Sequence, residues 1–133
     1  MKNCFKAAAV ALAAVVLVYL VCFFTGSEEA FSQKVREMGY DDVSESPYEV
    51  VEFTIPTEFG AVYERYNNLL KKGGYDISKY KGKKCKRYTY LIPSQNARAN
   101  IIVCDGEIIG GDISGITIDG IMLPLQRQNM TDK

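Results

Sequence analysis

Eighteen consecutive uncharged residues, Ala7–Phe24 (AAAVALAAVVLVYLVCFF), constrain this chain more than any other stretch. As a helix at about 1.5 Å per residue they span roughly 27 Å, close to the hydrocarbon thickness of a bilayer. Lys2 and Lys6 precede the run and Glu28 and Glu29 come after it. The positive-inside bias therefore makes 1–26 a cytoplasmic start and transmembrane anchor, and carries the rest of the chain outside the cell membrane. A removable signal peptide needs small residues one and three positions before its cut. The run ends instead in Cys22-Phe23-Phe24, and the best site, after Ser27 with Thr25 at the third position, is mediocre. A lipoprotein signal is a poorer fit still, because Tyr19-Leu20-Val21 precedes Cys22. The reading is a single-pass anchor, with cleavage after Ser27 as the alternative.

Beyond the anchor the chain is long enough for one domain with one core and too short for two: residues 27–125, with a polar tail at 126–133. Histidine is absent. That removes the commonest general base and metal ligand, and with it triad hydrolases and His-ligated zinc or iron sites. No cofactor is expected. The balance of sixteen acids and sixteen bases hides a polarity along the chain. Residues 28–64 carry ten carboxylates and two bases, whereas 65–98 carry ten bases and one acid, Asp76. Blocks of opposite sign that face each other in one fold explain this more simply than a charged partner. A nucleic-acid partner is not expected outside the membrane.

Ser27 is placed to cap a helix whose first turn holds Glu28 and Glu29, with Phe31, Val35 and Met38 on one face and Gly39 as a left-handed end. An acidic connection, 41–47, leads to a strand over Tyr48–Ile55 whose Val51, Phe53 and Ile55 make the core face. Pro56 stops it, and Thr57 is placed to cap a helix over 58–72 with Phe59, Val62, Tyr63, Tyr66, Leu69 and Leu70 in one apolar stripe. Lys71-Lys72 and Gly73-Gly74 close that helix. Tyr75–Gly82 has neither period and reads as a loop. Its Ser78 and Lys81 have the spacing of a serine–lysine acylase, but the companion motifs are missing. Lys83–Ile92 reads as a strand. The basic cluster from Lys79 to Arg87, interleaved with Tyr80, Tyr88 and Tyr90, suits a solvated strand edge better than a polyanion site.

Pro93–Asn96 turns the chain into a strand over Ala97–Cys104, and Asp105-Gly106 is a two-residue hairpin turn. Gly110-Gly111 suggests a bulge or a close backbone approach. An Ile116/Ile118 strand, a second Asp-Gly turn at 119–120 and a short apolar end complete the domain. The whole is α+β: a mainly antiparallel sheet of four or five strands with one or two helices packed on it.

If Pro93–Asn96 is a four-residue turn, Ile92 faces Ala97. Counting back pairs Tyr90 with Ala99, Tyr88 with Ile101 and Lys86 with Val103, which puts the aromatic and aliphatic residues on one face. The same count puts Cys85 opposite Cys104. Opposed Cβ atoms lie roughly 4.5–5.5 Å apart, within reach of a disulfide after local adjustment. The pair is a candidate bridge, or else two thiols on a half-buried face.

Several stretches taken together resemble a known family: IPTEFGAVYERYN at 55–67, GYDISKYKGK at 74–83, RYTY at 87–90, RAN at 98–100, DGEIIGGDIS at 105–114 and IDGIM at 118–122. The pattern is similar to a bacterial family of small exported, singly anchored domains of unknown function. The resemblance implies the same topology and compartment and carries no activity or catalytic residues.

Two kinds of function remain. The first is a membrane-anchored binding or interaction module for an envelope protein, peptide or polymer, using a sheet edge or the tyrosine-rich face with Tyr88 and Tyr90. The second is a small carboxylate enzyme or a calcium-binding domain using Asp105, Asp112 and Asp119. Asp105 and Asp119 directly precede glycine, where aspartate is an ordinary turn former. The binding module is the stronger reading.

Overall fold

A computed structural model describes residues 11–17, 28–116 and 120–127. Residues 11–17 are helical and exposed. The rest of the 7–24 run, the Ser27 cap, Ile118, Asp119 and residues 128–133 lie outside the described residues. Among those described, no helix is long and apolar enough to cross a membrane.

The domain is α+β, with five strands: β1 (Glu49–Thr54), β2 (Lys84–Ile92), β3 (Ala97–Cys104), β4 (Glu107–Gly115) and β5 (Met122–Pro124). They form an antiparallel meander in the order β1-β2-β3-β4-β5. Two α-helices, α1 over 28–37 and α2 over Ala61–Lys72, cover its two faces.

The β2–β3 register is the one the turn count predicts: Ile92 faces Ala97, Tyr90 faces Ala99, Tyr88 faces Ile101 and Lys86 faces Val103. Asn96 takes the left-handed conformation that closes this turn, with φ 47°. Tyr90, Ile92, Ala97, Ala99 and Ile101 are all buried on the shared face. α1 closes that face through buried Phe31 and Val35. The Phe31 ring lies 5.1 Å from that of Tyr88, and the Tyr90 hydroxyl donates to the Glu28 carbonyl at 2.9 Å. Gly39, at φ 100°, ends the turn after α1 as its sequence position predicts. Asp42 then pins the β2–β3 turn by accepting from the Ser94 amide at 2.6 Å and its hydroxyl at 2.7 Å. These bonds hold the Asp42 carboxyl below its ordinary range.

Asp105 and Gly106 both have positive φ, 51° and 78°, and make the expected tight hairpin between β3 and β4. The ladder then slips between Ile102 and Val103, a bulge beside Gly110-Gly111. Gly111 is required there by the backbone, and Gly110 makes room for a side chain of α2. A Cβ on Gly110 would lie 2.8 Å from Leu70 Cδ1 of α2, and one on Gly111 would lie 2.3 Å from the Asn100 carbonyl oxygen.

Four local expectations are corrected. α2 starts at Ala61 rather than 58, with extended Gly60 in the capping position and no side-chain cap, so Thr57 does not serve as one. Val62, assigned to the buried stripe, is 78% exposed, and Asn67 is buried in the helix instead. The loop over 75–82 contains a short 3-10 helix, Ile77–Tyr80, begun by the Asp76 side chain accepting from the Ser78 amide. The last strand is Met122–Pro124, while Ile116 is an exposed bend. Of the sequence blocks of opposite charge, β1 and β2 do face each other: Lys84 Nζ lies 3.1 Å from Glu52 Oε1.

Candidate functional site

Period-two alternation sends every second residue of the central strands to the α2 side. On that side Thr89, Asn100 and Asp112 stand directly opposite one another across β2, β3 and β4. The Thr89 hydroxyl donates to Asn100 Oδ1 at 2.9 Å, which orients the amide so that its nitrogen donates to Asp112 Oδ2 at 3.1 Å. From above, the Tyr66 hydroxyl of α2 donates to Asp112 Oδ1 at 2.6 Å. Asp112 is 3% exposed. Burial raises its carboxyl above the ordinary range, against the opposing pull of the Tyr66, Asn100 and Ser114 hydrogen bonds and of the Arg87 charge. Tyr66 is pushed far up, first by burial and then by the Asp112 charge, so its hydroxyl stays protonated and donating.

Asn100 and Asp112 of this row floor a cleft of about 400 Å³ between α2 and the sheet. Phe53, Val62, Tyr63, Ile102 and Met122 supply apolar walls, and Arg87 brings a cation to it. The glycine bulge lets α2 sit low over β4 at Leu70. In the N-terminal half of the helix Tyr63 and Tyr66 line the open space instead.

Of the acids singled out from sequence, only Asp112 belongs to this site. Asp105 sits exposed at the hairpin tip, 3.8 Å from Lys83. It is seven residues from Asp112, roughly 20 Å along an extended strand, so the two cannot form a carboxylate pair. Asp119 lies outside the described residues. Tyr88 and Tyr90 point to the opposite face, under α1, and Tyr90 is fully buried core. Among the described residues, no group of three acids or cysteines is arranged to hold a metal ion. Ser78 donates its hydroxyl to Asp76 at 2.5 Å as part of the 3-10 cap, and that cap holds the Asp76 carboxyl down to about 2.

Cys85 and Cys104 are buried free thiols, one step beyond the Lys86–Val103 pair. Burial, and then the neighbouring Cys104, push the Cys85 thiol up to about 12.

Tyr66, Asn100 and Arg87 were not singled out from sequence. A signal for Asn100 was present, because the register that pairs Tyr90 with Ala99 also pairs Thr89 with Asn100. Tyr66 looked like an ordinary member of an apolar stripe.

A family described as a domain of unknown function, DUF4830, matches residues 37–113. The chain belongs to this family. Neither the curated proteins nor the solved structures contain a match. The DUF4830 span runs from the end of α1 through Ile113 of β4, and so includes Tyr66, Arg87, Asn100 and Asp112.

Proposed function

We propose that this DUF4830 protein is a membrane-anchored, extracytoplasmic binding module that takes its ligand in the cleft between α2 and the sheet. The Ala7–Phe24 run supports the anchor, and the lysines before it support the orientation. The cleft carries the binding reading. It is concave and mainly apolar, with a few converging polar groups on rigid elements, which is the usual composition of a ligand site. A carboxylate enzyme has less support, because Asp112 is the one acid among the described residues lining the cleft and both of its oxygens already accept hydrogen bonds.

Two measurements test the proposal. A cysteine at exposed position 58 (Glu58→Cys) is expected to react with a membrane-impermeant thiol reagent in intact cells; protection until lysis would refute the orientation. Protein purified from its own membranes is expected to carry a small molecule, detectable by mass spectrometry, that is absent from a variant with the cleft filled (Val62→Trp with Met122→Trp). An identical complement in both proteins would refute the site.

A further inference from the structure

The cleft contains two opposite charges that the fold leaves without counter-ions. The exposed Arg87 side chain lines it and makes no side-chain hydrogen bond or ion pair among the described residues, although its charge favours the ionised form of Asp112. Asp112 accepts hydrogen bonds on both oxygens from neutral donors and has no cation bound to it. A carboxylate offers about four acceptor positions, so one remains beside the Tyr66, Asn100 and Ser114 hydrogen bonds. Aromatic rings of Phe53, Tyr63 and Tyr66 and the aliphatic Ile102 and Met122 make up most of the remaining surface.

We propose that the cleft binds a small zwitterion, an α-amino acid with an apolar side chain, whose carboxylate pairs with Arg87 and whose ammonium pairs with Asp112. A simple anion would pair with Arg87 but bring a like charge towards Asp112. A simple cation would meet the reverse conflict. A zwitterion satisfies both groups, the buried Asp112 and the exposed Arg87 at the cleft's edge, and charge-assisted hydrogen bonds of matched sign give recognition its specificity. The guanidinium fork matches a carboxylate in two parallel hydrogen bonds. The ammonium also meets aromatic faces, which attract cations. The apolar side chain is left to displace water from Ile102 and Met122. The volume of about 400 Å³ lies towards the small end of ligand sites, which run roughly 300–1,000 Å³.

This inference rests on the cleft being a ligand site, and the experiment separates the two. Calorimetric titration of the full chain in detergent micelles uses L-leucine, L-phenylalanine, N-acetyl-L-phenylalanine and L-phenylalaninamide. The free amino acids are expected to bind, and each blocked form to bind about 10- to 100-fold more weakly, the loss that accompanies one charged hydrogen-bonded contact. In Arg87→Gln the amide is expected to bind as well as the free amino acid, and in Asp112→Asn the acetylated form is. Thermal unfolding checks that both variants fold. Blocked forms that bind as tightly as the free amino acids overturn the zwitterion. So does an absence of amino-acid binding; if the molecule that co-purifies with the open cleft still binds, only the zwitterion falls, and if nothing binds, the cleft reading falls with it.

Discussion

The hydrogen bond between Tyr66 and Asp112 makes a sharp test of the fold, because it joins α2 to the sheet through a buried carboxylate. Tyr66→Phe keeps the ring and removes only the hydroxyl. Asp112 Oδ1 then loses a 2.6 Å bond that the cleft can replace only partly with water. Hydrogen bonds to charged groups are worth about 1.5–3 kcal/mol, against about 0.5–1.5 kcal/mol between neutral groups.

The size of the loss depends on pH, and its sign comes from the direction of the shift. The folded Asp112 carboxyl is raised above its unfolded value of about 3.9. Its contribution to stability is therefore complete below that value and is lost as pH rises through the folded pKa. Tyr66 is one of the groups pulling the folded value down, so the variant raises it further and widens the penalty at neutral pH. Urea unfolding of the full chain in detergent is expected to show a destabilisation of about 1.5–3 kcal/mol at pH 7, shrinking towards about 0.5–1.5 kcal/mol as pH falls to 4. With Asp112→Asn also present, the pH dependence of the difference is expected to disappear. A destabilisation that is equal at both pH values, or smaller than about 0.5 kcal/mol at pH 7, would refute an ionised Asp112 held by Tyr66.

The single variant Asp112→Asn is expected to fold, with a melting temperature at or above that of the parent at pH 7, because its oxygen can accept from Asn100 and its nitrogen can donate to the Tyr66 oxygen; a large drop in thermal unfolding would show that the network needs the charge. Leu70→Ala empties a fully buried site and is expected to cost about 2–5 kcal/mol in denaturant unfolding. Gly110→Ala places a methyl against Leu70 Cδ1 and is expected to cost about 1–3 kcal/mol, but much less in the Leu70→Ala background; strict additivity would show that the two do not touch. In reduced protein, Cys85 and Cys104 are expected to alkylate at pH 8 only at the rate of global unfolding, since both are buried and burial pushes the Cys85 thiol up to about 12; rapid labelling of native protein, detected by peptide mass mapping, would contradict that burial.

What could be read from the sequence depended on whether a local signal was tied to a count. The β2–β3 register came from one turn length and the demand that Tyr90, Ile92 and Ala99 share a face. It then fixed the neighbours of residues that were not part of the argument, Thr89 and Asn100 among them. The Asp105-Gly106 turn and the Gly110-Gly111 bulge were legible for the same reason, since Gly106 at φ 78° and Gly111 against the Asn100 carbonyl answer backbone needs that no other residue meets cheaply. Helix α2 was legible as a helix but not in its rotation: the stripe containing Val62, Tyr63 and Tyr66 is wide enough to face the sheet at several angles. The chosen angle buries Asn67 and leaves Val62 exposed. Asn67 is buried because the 3-10 turn beneath it supplies two partners, the Ile77 amide and Asp76, each at 2.9 Å. A four-residue helix has no periodicity by which to announce itself, so that burial had no visible cause in the sequence.

The site was hidden by the same ambiguity. The sequence set Asp105 and Asp119 apart as turn formers before glycine, but it did not show what surrounds Asp112. Asp105 is used by its turn, whereas Asp112 falls in mid-strand on the face that α2 covers, where a charge survives only if polar neighbours reach it. Thr89 and Asn100 reach it across the strands, and Tyr66 reaches it from the helix. A buried carboxylate held only by neutral donors, beside an arginine that makes no ion pair with it, is an expensive arrangement for a core that needed only to be stable. Apolar residues of similar volume would serve stability as well or better. That excess of polarity, placed at the floor of an open cleft, is the physical reason to look for the ligand there and not at the tyrosines of the opposite face, which are already occupied by α1.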